Sequence, residues 1–370
     1  MKKVVIINRV LKNYRARLYS LLKGPLLSAG IELIVVHGRE GRLEALKKDS
    51  GLLEWAVEIN NVYLPLGFLW QRVPGKILEA DLIIVEQASK FLLNYVLLLR
   101  RFLSNKKIAF IGHGLTRIKP RKSLSNSFKS ALLRNVDWWF AYTEGVSDFI
   151  ESKGYPRERI TVIQNSIDTR ALIKDKESQT EQDINKLRKN IALEGGPVGI
   201  FCGGMYSHKR IPFLIDACKK IRNSLADFEM IFLGSGPQGC LIEREAKKNK
   251  WMHYIGPCFG RDKAAYFMLA DIFLMPGLVG LCVLDSFVFE KPIVTTSYPY
   301  HSPEIEYLKN GINGVITEDN INSYVKSVTD MLSDKKKIDN LKAGCKDSSQ
   351  KYTIEEMAER FKTGIINCLK

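Results

Sequence analysis

Between Gly277 and Asp285 the chain reads GLVGLCVLD, directly after the apolar run DIFLMP (Asp271–Pro276) and before SFVFEKPIV. The pattern is strand, glycine-containing turn, helix, strand. Glycines let a backbone approach a ligand closely, and free N–H groups at a helix start suit phosphate oxygens. A carboxylate one turn into such a helix can accept two hydrogen bonds from a ribose diol, which makes Asp285 a candidate ribose ligand. Spacing alone leaves a plain alternative open: glycines that only make a tight turn, and an Asp285 that is a solvated helix residue.

A second stretch, GGMYSHKR (Gly203–Arg210), follows another apolar run. Lys209 and Arg210 stand at the start of the next helix, where a cation can neutralise a diphosphate leaving group. A solvated Lys/Arg pair is the alternative. GSGP (Gly234–Pro237) is a third strand-end glycine turn; it is not the first βα turn of its half and is set aside as a dinucleotide fingerprint. Three such turns in one half of the chain point to a nucleotide more strongly than any one of them. In the first half, His113 lies in IGHG at a strand end, where flanking glycines favour ligand approach over a core role. Asn8, Asn13, Tyr14 and Arg15, in NRVLKNYRARLY, follow the first strand and would line the same edge, although Arg15 and Arg17 could equally be solvated helix charges. No D-x-D, H-x-x-x-H or C-x-x-C spacing suggests a metal, so no metal ligand is assigned, and no G-x-S-x-G nucleophile elbow is present.

These candidates need elements to hold them. The first half alternates β-rich runs (KVVIIN, IELIVVHG, DLIIVE, KIAFIGHG, DWWFAYTE) with helical stretches (RARLYSLLKGPLL, KFLLNYVLLLRRFL, KSLSNSFKSALLRN, GVSDFIESKG). Near-continuous apolar strands between helices mean a parallel sheet covered on both faces. ITVIQNSID (Ile160–Asp168) reads as the last strand of this half. The polar KDKESQTEQDINKLRKN (Lys174–Asn190) reads as a partly helical linker, and the alternation then restarts at VGIFCGG and runs to GINGVI. The expected fold is α/β, two tandem doubly wound domains, with ligands outside the carboxyl ends of the strands and in a cleft between the domains.

Composition and charge narrow the function. With 370 residues, 45% hydrophobic and 26% charged, the chain is sized for two ordinary globular domains. FLLNYVLLL (Phe91–Leu99) is too short to span a bilayer and reads as a buried helix. MKKVVIIN lacks a signal peptide's longer apolar core, so a cytoplasmic protein is expected. Seven cysteines, all from Cys202 onward and without metal spacing, are expected to be reduced structural thiols. The net charge of +16 is uneven: residues 1–170 hold 28 Lys and Arg against 15 Asp and Glu. A basic first half suggests an anionic membrane, a phosphorylated acceptor or nucleic acid as partner. Nucleic acid ranks last, because aromatic–basic interleaving and any recognisable motif are missing.

Taken together, several segments resemble the retaining GT-B glycosyltransferases of family 4, which use nucleotide-sugar donors. YTEGVSDFIESKGYPRERITVIQNSIDT (Tyr142–Thr169) resembles the segment that closes their N-terminal domain, and FCGGMYSHKR their strand-loop-Lys phosphate motif. FLGSGP resembles their next strand end, ADIFLMPGLVGLCVLDSFVFEKPIVTT their Glu-x7-Glu region, and HSPEIEYLKNGINGVI the segment after it. NYRARLY and IGHG resemble a subgroup with a Tyr-Arg loop and a His-Gly strand end. The resemblance covers most of the chain and is most specific over residues 198–316.

It implies a GT-B fold: an acceptor-binding Rossmann-like domain over residues 1–172, a linker over 173–194, and a nucleotide-sugar-binding Rossmann-like domain over 195–352. The C-terminal helix, 353–370, is a candidate to pack back on the first domain. Asp285 would take the place of the second signature Glu and hold the ribose, while Gly277 falls at the first, which usually contacts the donor sugar. Backbone N–H groups of Leu278, Val279, Gly280 and Leu281 would meet sugar and diphosphate. Lys209 would bind the diphosphate. The Arg usual five residues earlier is Gly204, with Arg210 as candidate substitute. Cys258 and Phe259, in PCFGRD, would border the base, and His113 would lie near the transferred sugar. His113 and Lys209 are thus the candidate catalytic residues, and Asn8, Asn13, Tyr14 and Arg15 the candidate acceptor residues.

The expected function is metal-independent, cofactor-free, retaining transfer of a sugar from a nucleotide diphosphate sugar, UDP favoured over GDP, to a glycan or lipid-diphosphate-linked acceptor in cell-surface polysaccharide biosynthesis. No protein nucleophile is needed if the acceptor attacks from the face the diphosphate leaves. The first domain's charge and RIKPRKS (Arg117–Ser123) suggest peripheral attachment to the anionic inner face of the membrane. The rivals are a nucleotide-sugar 2-epimerase of the same fold and a non-catalytic relative that only binds the nucleotide sugar.

Overall fold

The computed structural model describes residues 1–41, 49–114 and 134–370. They fall into two compact units: 1–168 with 354–370, and 169–353. RIKPRKS and most of the expected helix KSLSNSFKSALLRN lie outside the described residues.

The first unit is built on a parallel sheet. Its strands are β1 (Lys2–Asn8), β2 (Ile31–Gly38), β3 (Val57–Ile59), β6 (Leu82–Glu86), β7 (Lys107–Gly112), β8 (Trp138–Ala141) and β9 (Ile160–Val162). The order is β3-β2-β1-β6-β7-β8-β9, and a short antiparallel pair, β4 (Asn61–Tyr63) and β5 (Leu69–Gln71), stands apart. β1 shows why the sheet is buried on both sides. Alternate residues face opposite ways, and here both faces are apolar. Val4 and Ile6 join one core cluster with Leu18 and Leu22 of the helix Asn13–Ser28 and with Met357, Phe361 and Ile365 of the C-terminal helix Ile354–Leu369. Val5 and Ile7 join the other with Leu93 and Leu97 of the helix Leu92–Leu103. The C-terminal helix is fixed by further contacts: Lys2 Nζ donates to the Leu369 carbonyl at 2.6 Å.

Two sequence expectations are corrected here, and three short strands were not anticipated. Of Ile160–Asp168, only Ile160–Val162 pairs as a strand; Gln164 takes a left-handed φ of 52°, which ends the extended run. The three-residue strands β3, β4 and β5 were too short to read from periodicity. The Leu92–Leu103 helix is not buried all round. Leu93, Leu97 and Leu98 face the core, but Leu99, Phe102 and Leu103 are 65%, 68% and 81% exposed.

The second unit holds β10 (Val198–Cys202), β11 (Glu229–Leu233), β12 (Met252–Gly256), β13 (Ile272–Leu274), β14 (Ile293–Thr296) and β15 (Gly314–Thr317), parallel, in the order β12-β11-β10-β13-β14-β15. The stretch read as a linker is two helices, Thr169–Glu177 and Glu181–Asn190, which pack against the helix Gly260–Leu269 of the same unit. In both sheets the strand order reverses beside the first strand: β1 lies between β2 and β6, and β10 between β11 and β13. A doubly wound sheet binds ligands at that crevice, outside the carboxyl ends of its strands.

Candidate functional site

At the crevice of the second unit the turn after β10 meets the turn after β13. Leu278 N–H donates to the His208 carbonyl at 2.8 Å, and Lys209 Nζ donates back to the Leu278 carbonyl at 2.6 Å. Gly277 sits where this contact is tightest. A Cβ there would overlap the His208 carbonyl and lie 2.7 Å from the Lys209 carbonyl carbon. No side chain of any kind fits, so the glycine is required by backbone packing. Gly204 is similar in outcome but different in cause: the Tyr206 ring folds over it, 2.9 Å from a Cβ at its Cζ. The GSGP turn packs on the same corner. Met205 N–H donates to Ser235 O, and Gly234 and Gly236 (φ 123° and 156°) bring their backbone against Gly203 and Met205. Those two glycines serve backbone approach within the protein.

The amides expected to meet the ligand are only partly available. Leu278 N–H is spent on His208, and Val279 N–H donates to His301 Nδ1 at 3.0 Å. Gly280 and Leu281 N–H make no hydrogen bond within the described residues. They precede the helix Cys282–Val288, where the backbone dipoles favour an anion. Arg210, the candidate substitute for the phosphate cation, is engaged within the protein through one guanidinium nitrogen. Its guanidinium pairs with Asp319, donates to Thr296 Oγ1 at 3.2 Å and lies over the Phe213 ring. Lys209, half-buried, is the cation at the turn.

Asp285 is 7% exposed, so it is no solvated helix residue. Its Oδ1 accepts from Lys263 Nζ at 2.7 Å, and both side chains are largely buried. Burial would lower the Lys263 pKa, but the Asp285 carboxylate beside it outweighs that and raises it above the ordinary 10.5. Oδ2 has no partner within the described residues. Cys258 is half-buried and Phe259 is 57% exposed, flanking the start of the Gly260–Leu269 helix that carries Lys263. Burial pushes the Cys202 thiol at the end of β10 up to about 12, which keeps it protonated. All seven cysteines are free.

The first unit gathers its candidates at the matching edge, but two of them are occupied. Asn8 is buried; its Oδ1 accepts from Tyr19 OH at 2.5 Å. Arg15 is also buried, donating to Asn165 Oδ1 at 2.6 Å and touching the Met357 sulfur. Both are buried and engaged within the first unit. Asn13 is exposed, Tyr14 half-buried, and His113 exposed at the end of β7 with its ring edge-on to Tyr142 at 4.8 Å. Gly114 (φ 64°) beside it passes close to Val146 and Ile150, where a side chain would be crowded.

Comparison with known proteins fits this layout. Residues 24–171 match the family described as Glycosyltransferase Family 4, and residues 196–334 the family described as Glycosyl transferases group 1. No curated protein matches the chain in sequence. The structure of HepE from Anabaena in complex with UDP is similar at a TM-score of 0.70 and 15% identity, covering 99% of this chain and 100% of that one. A glycosyltransferase from Rickettsia africae scores 0.71 at 13% identity, covering 100% and 99%. Sucrose-phosphate synthase from Thermosynechococcus elongatus scores 0.69 at 14%, covering 98% and 97%. The fold is GT-B. Each half carries a glycosyltransferase-type domain.

Within this GT-B chain, sequence reasoning missed Lys263, Tyr206 and His301. Lys263 follows directly on PCFGRD, and a basic residue just inside a helix that follows a strand-end loop was a usable signal. His301 lies in SYPYHSPE after β14, a strand-end run dense in aromatics. Tyr298 of that run hydrogen-bonds His208 Nδ1 at 3.0 Å, and Tyr300 lies edge-on to the same ring. Among the described residues, no cluster of His, Cys, Asp or Glu is placed to hold a metal, and no helix is long and apolar enough to cross a membrane.

Proposed function

We propose that this chain is a retaining glycosyltransferase that takes its sugar from a nucleoside diphosphate sugar. The observation that carries the reading is the turn after β13: the Gly280 and Leu281 amides are uncommitted, Lys209 contacts the turn through the Leu278 carbonyl, and the buried carboxylate of Asp285 lies in the helix that follows. Gly280 and Leu281 N–H with Lys209 would bind the diphosphate, and Asp285 Oδ2 a ribose hydroxyl. Cys258 and Phe259 would border the base. The HepE structures, which hold UDP, UDP with glucose, and UDP-glucose, support UDP as the first nucleotide to try. As the anomeric C–O bond to phosphate breaks, charge builds on the diphosphate, and preorganised donors stabilise it there. The acceptor hydroxyl bonds to the anomeric carbon from the same face and gives its proton to the departing phosphate. An epimerase would want positioned acid and base groups; Asp285 is already paired with Lys263, and Asp319 with Arg210.

The acceptor belongs to the first unit in this proposal, with the exposed Asn13 and His113 and the half-buried Tyr14 as the candidates. A glycan or lipid-diphosphate-linked acceptor of cell-surface polysaccharide synthesis suits the unit's positive charge, as does peripheral attachment to an anionic membrane on its cytoplasmic side. The exposed Leu99, Phe102 and Leu103 beside Arg100 add an apolar component to that attraction. The test is nucleotide binding. UDP, added before GDP in a thermal-shift screen, is expected to raise the unfolding temperature, and donor turnover should follow. Asp285→Asn, which keeps a partner for Lys263, should weaken UDP binding; unchanged affinity removes the ribose assignment, and no response to any nucleoside diphosphate removes the enzyme reading.

A further inference from the structure

His301 is buried beyond the end of β14, and both nitrogens of its ring are engaged. Nδ1 lies 3.0 Å from Val279 N–H, and Nε2 lies 2.8 Å from the Thr296 carbonyl. A carbonyl only accepts and an amide N–H only donates, so the proton is on Nε2 and the lone pair on Nδ1. The two partners select one neutral tautomer. The neighbouring Ser302 N–H donates to the Val279 carbonyl at 2.9 Å, so Val279 is held through both its N–H and its C=O. Thr296 Oγ1 reaches the Pro276 carbonyl at 2.9 Å, and Leu278 is tied to His208 on the other side. The glycine turn is therefore bolted to the 296–302 loop and to the turn after β10, with His301 as the buried side chain that joins the first pair.

We infer that His301 is the positioning residue of the donor turn. It takes the Val279 amide out of reach of any ligand and sets the turn so that the next two amides, Gly280 and Leu281, are the ones offered to an anion. A flexible turn would have to be ordered when the diphosphate binds, and ordering costs affinity; a turn already bolted has met that cost in folding. The same bolt fits the sealed Gly277. Gly277 and Leu278 anchor the turn on one side against His208 and Lys209, and His301 anchors the next residue from a different strand end. This rests on the donor-site reading above, and its test separates the two.

The full-length chain is compared with His301→Leu, which removes both hydrogen bonds, and His301→Asn, whose Oδ1 can still accept from Val279. UDP affinity is expected to fall by about tenfold or more in the leucine variant and to be largely recovered in the asparagine variant, the scale of one or two buried hydrogen bonds. Amide hydrogen exchange across residues 277–284 is expected to rise in the leucine variant without ligand, and nitrogen NMR of the unsubstituted protein should show Nδ1 of His301 unprotonated. The proposal is overturned by a folded leucine variant with unchanged UDP affinity and unchanged exchange, or by a protonated Nδ1. If the unsubstituted protein binds neither UDP nor GDP, the donor reading fails alone, while exchange and tautomer still decide the bolt. Should the leucine variant not fold, the asparagine variant and the tautomer decide it.

Discussion

Gly277 and Asp285 separate two kinds of departure from a family pattern. At Gly277, where the resemblance implies a carboxylate, the turn lies closed on the backbone of His208 and Lys209. A glutamate placed there would restore the family's residue and not its contact. Gly277→Glu is expected to lower the unfolding temperature, with overpacking of this kind costing ~1–3 kcal/mol or more, and to weaken UDP binding. A stable variant with tighter binding in calorimetric titration would show that the turn opens to admit the side chain. Asp285 is a milder case, since a shorter carboxylate still reaches Lys263 from a buried helix. The spacing that marked Asp285 was legible in the sequence. Its pairing was not, because Lys263 comes from a different helix and no local pattern links the two. The contacts of Asn8 and Arg15 were hidden for the same reason: their partners Tyr19, Asn165 and Met357 are assembled by the fold.

Among the elements, buried parallel strands were the easiest to read, because apolar residues fill both faces and the runs have no alternation to confuse with a surface strand. The polar stretch 174–190 was harder. Its helices carry little apolar surface, yet a start signal was present: Thr180 and Asp183 form a reciprocal capping box. The Leu92–Leu103 helix was misjudged because an all-apolar run implies burial on every side, whereas one of its faces is exposed. If that face rests in an anionic membrane, Leu99→Asp with Phe102→Asp should cut sedimentation with anionic vesicles while leaving the UDP thermal shift unchanged. Equal vesicle binding by the double variant would remove this helix from the interface, and loss of the UDP response would mean that the first unit had been disturbed more widely.

The whole chain folds as two units, and the first is completed by the last residues of the sequence. Phe361 of the C-terminal helix packs on Phe140 of β8 with ring centroids 4.5 Å apart, and Gly364 lets the same helix come close to Phe140 and Thr161. Phe361→Ala should cost ~3–5 kcal/mol, the range for emptying a buried aromatic site. Hydrogen exchange should place the loss in residues 1–168 and 354–370, with the second unit little changed; a loss centred on the second unit would contradict this division. The sequence by itself determined the α/β class, the restart of the alternation near residue 198 and the strand-end positions of the glycine turns, since periodicity and glycine placement are local properties. Only the tertiary structure decided which groups at those turns are still free. Leu278 meets His208 and Val279 meets His301 across long sequence separations, and a backbone N–H already satisfied inside the protein has nothing left to offer a ligand.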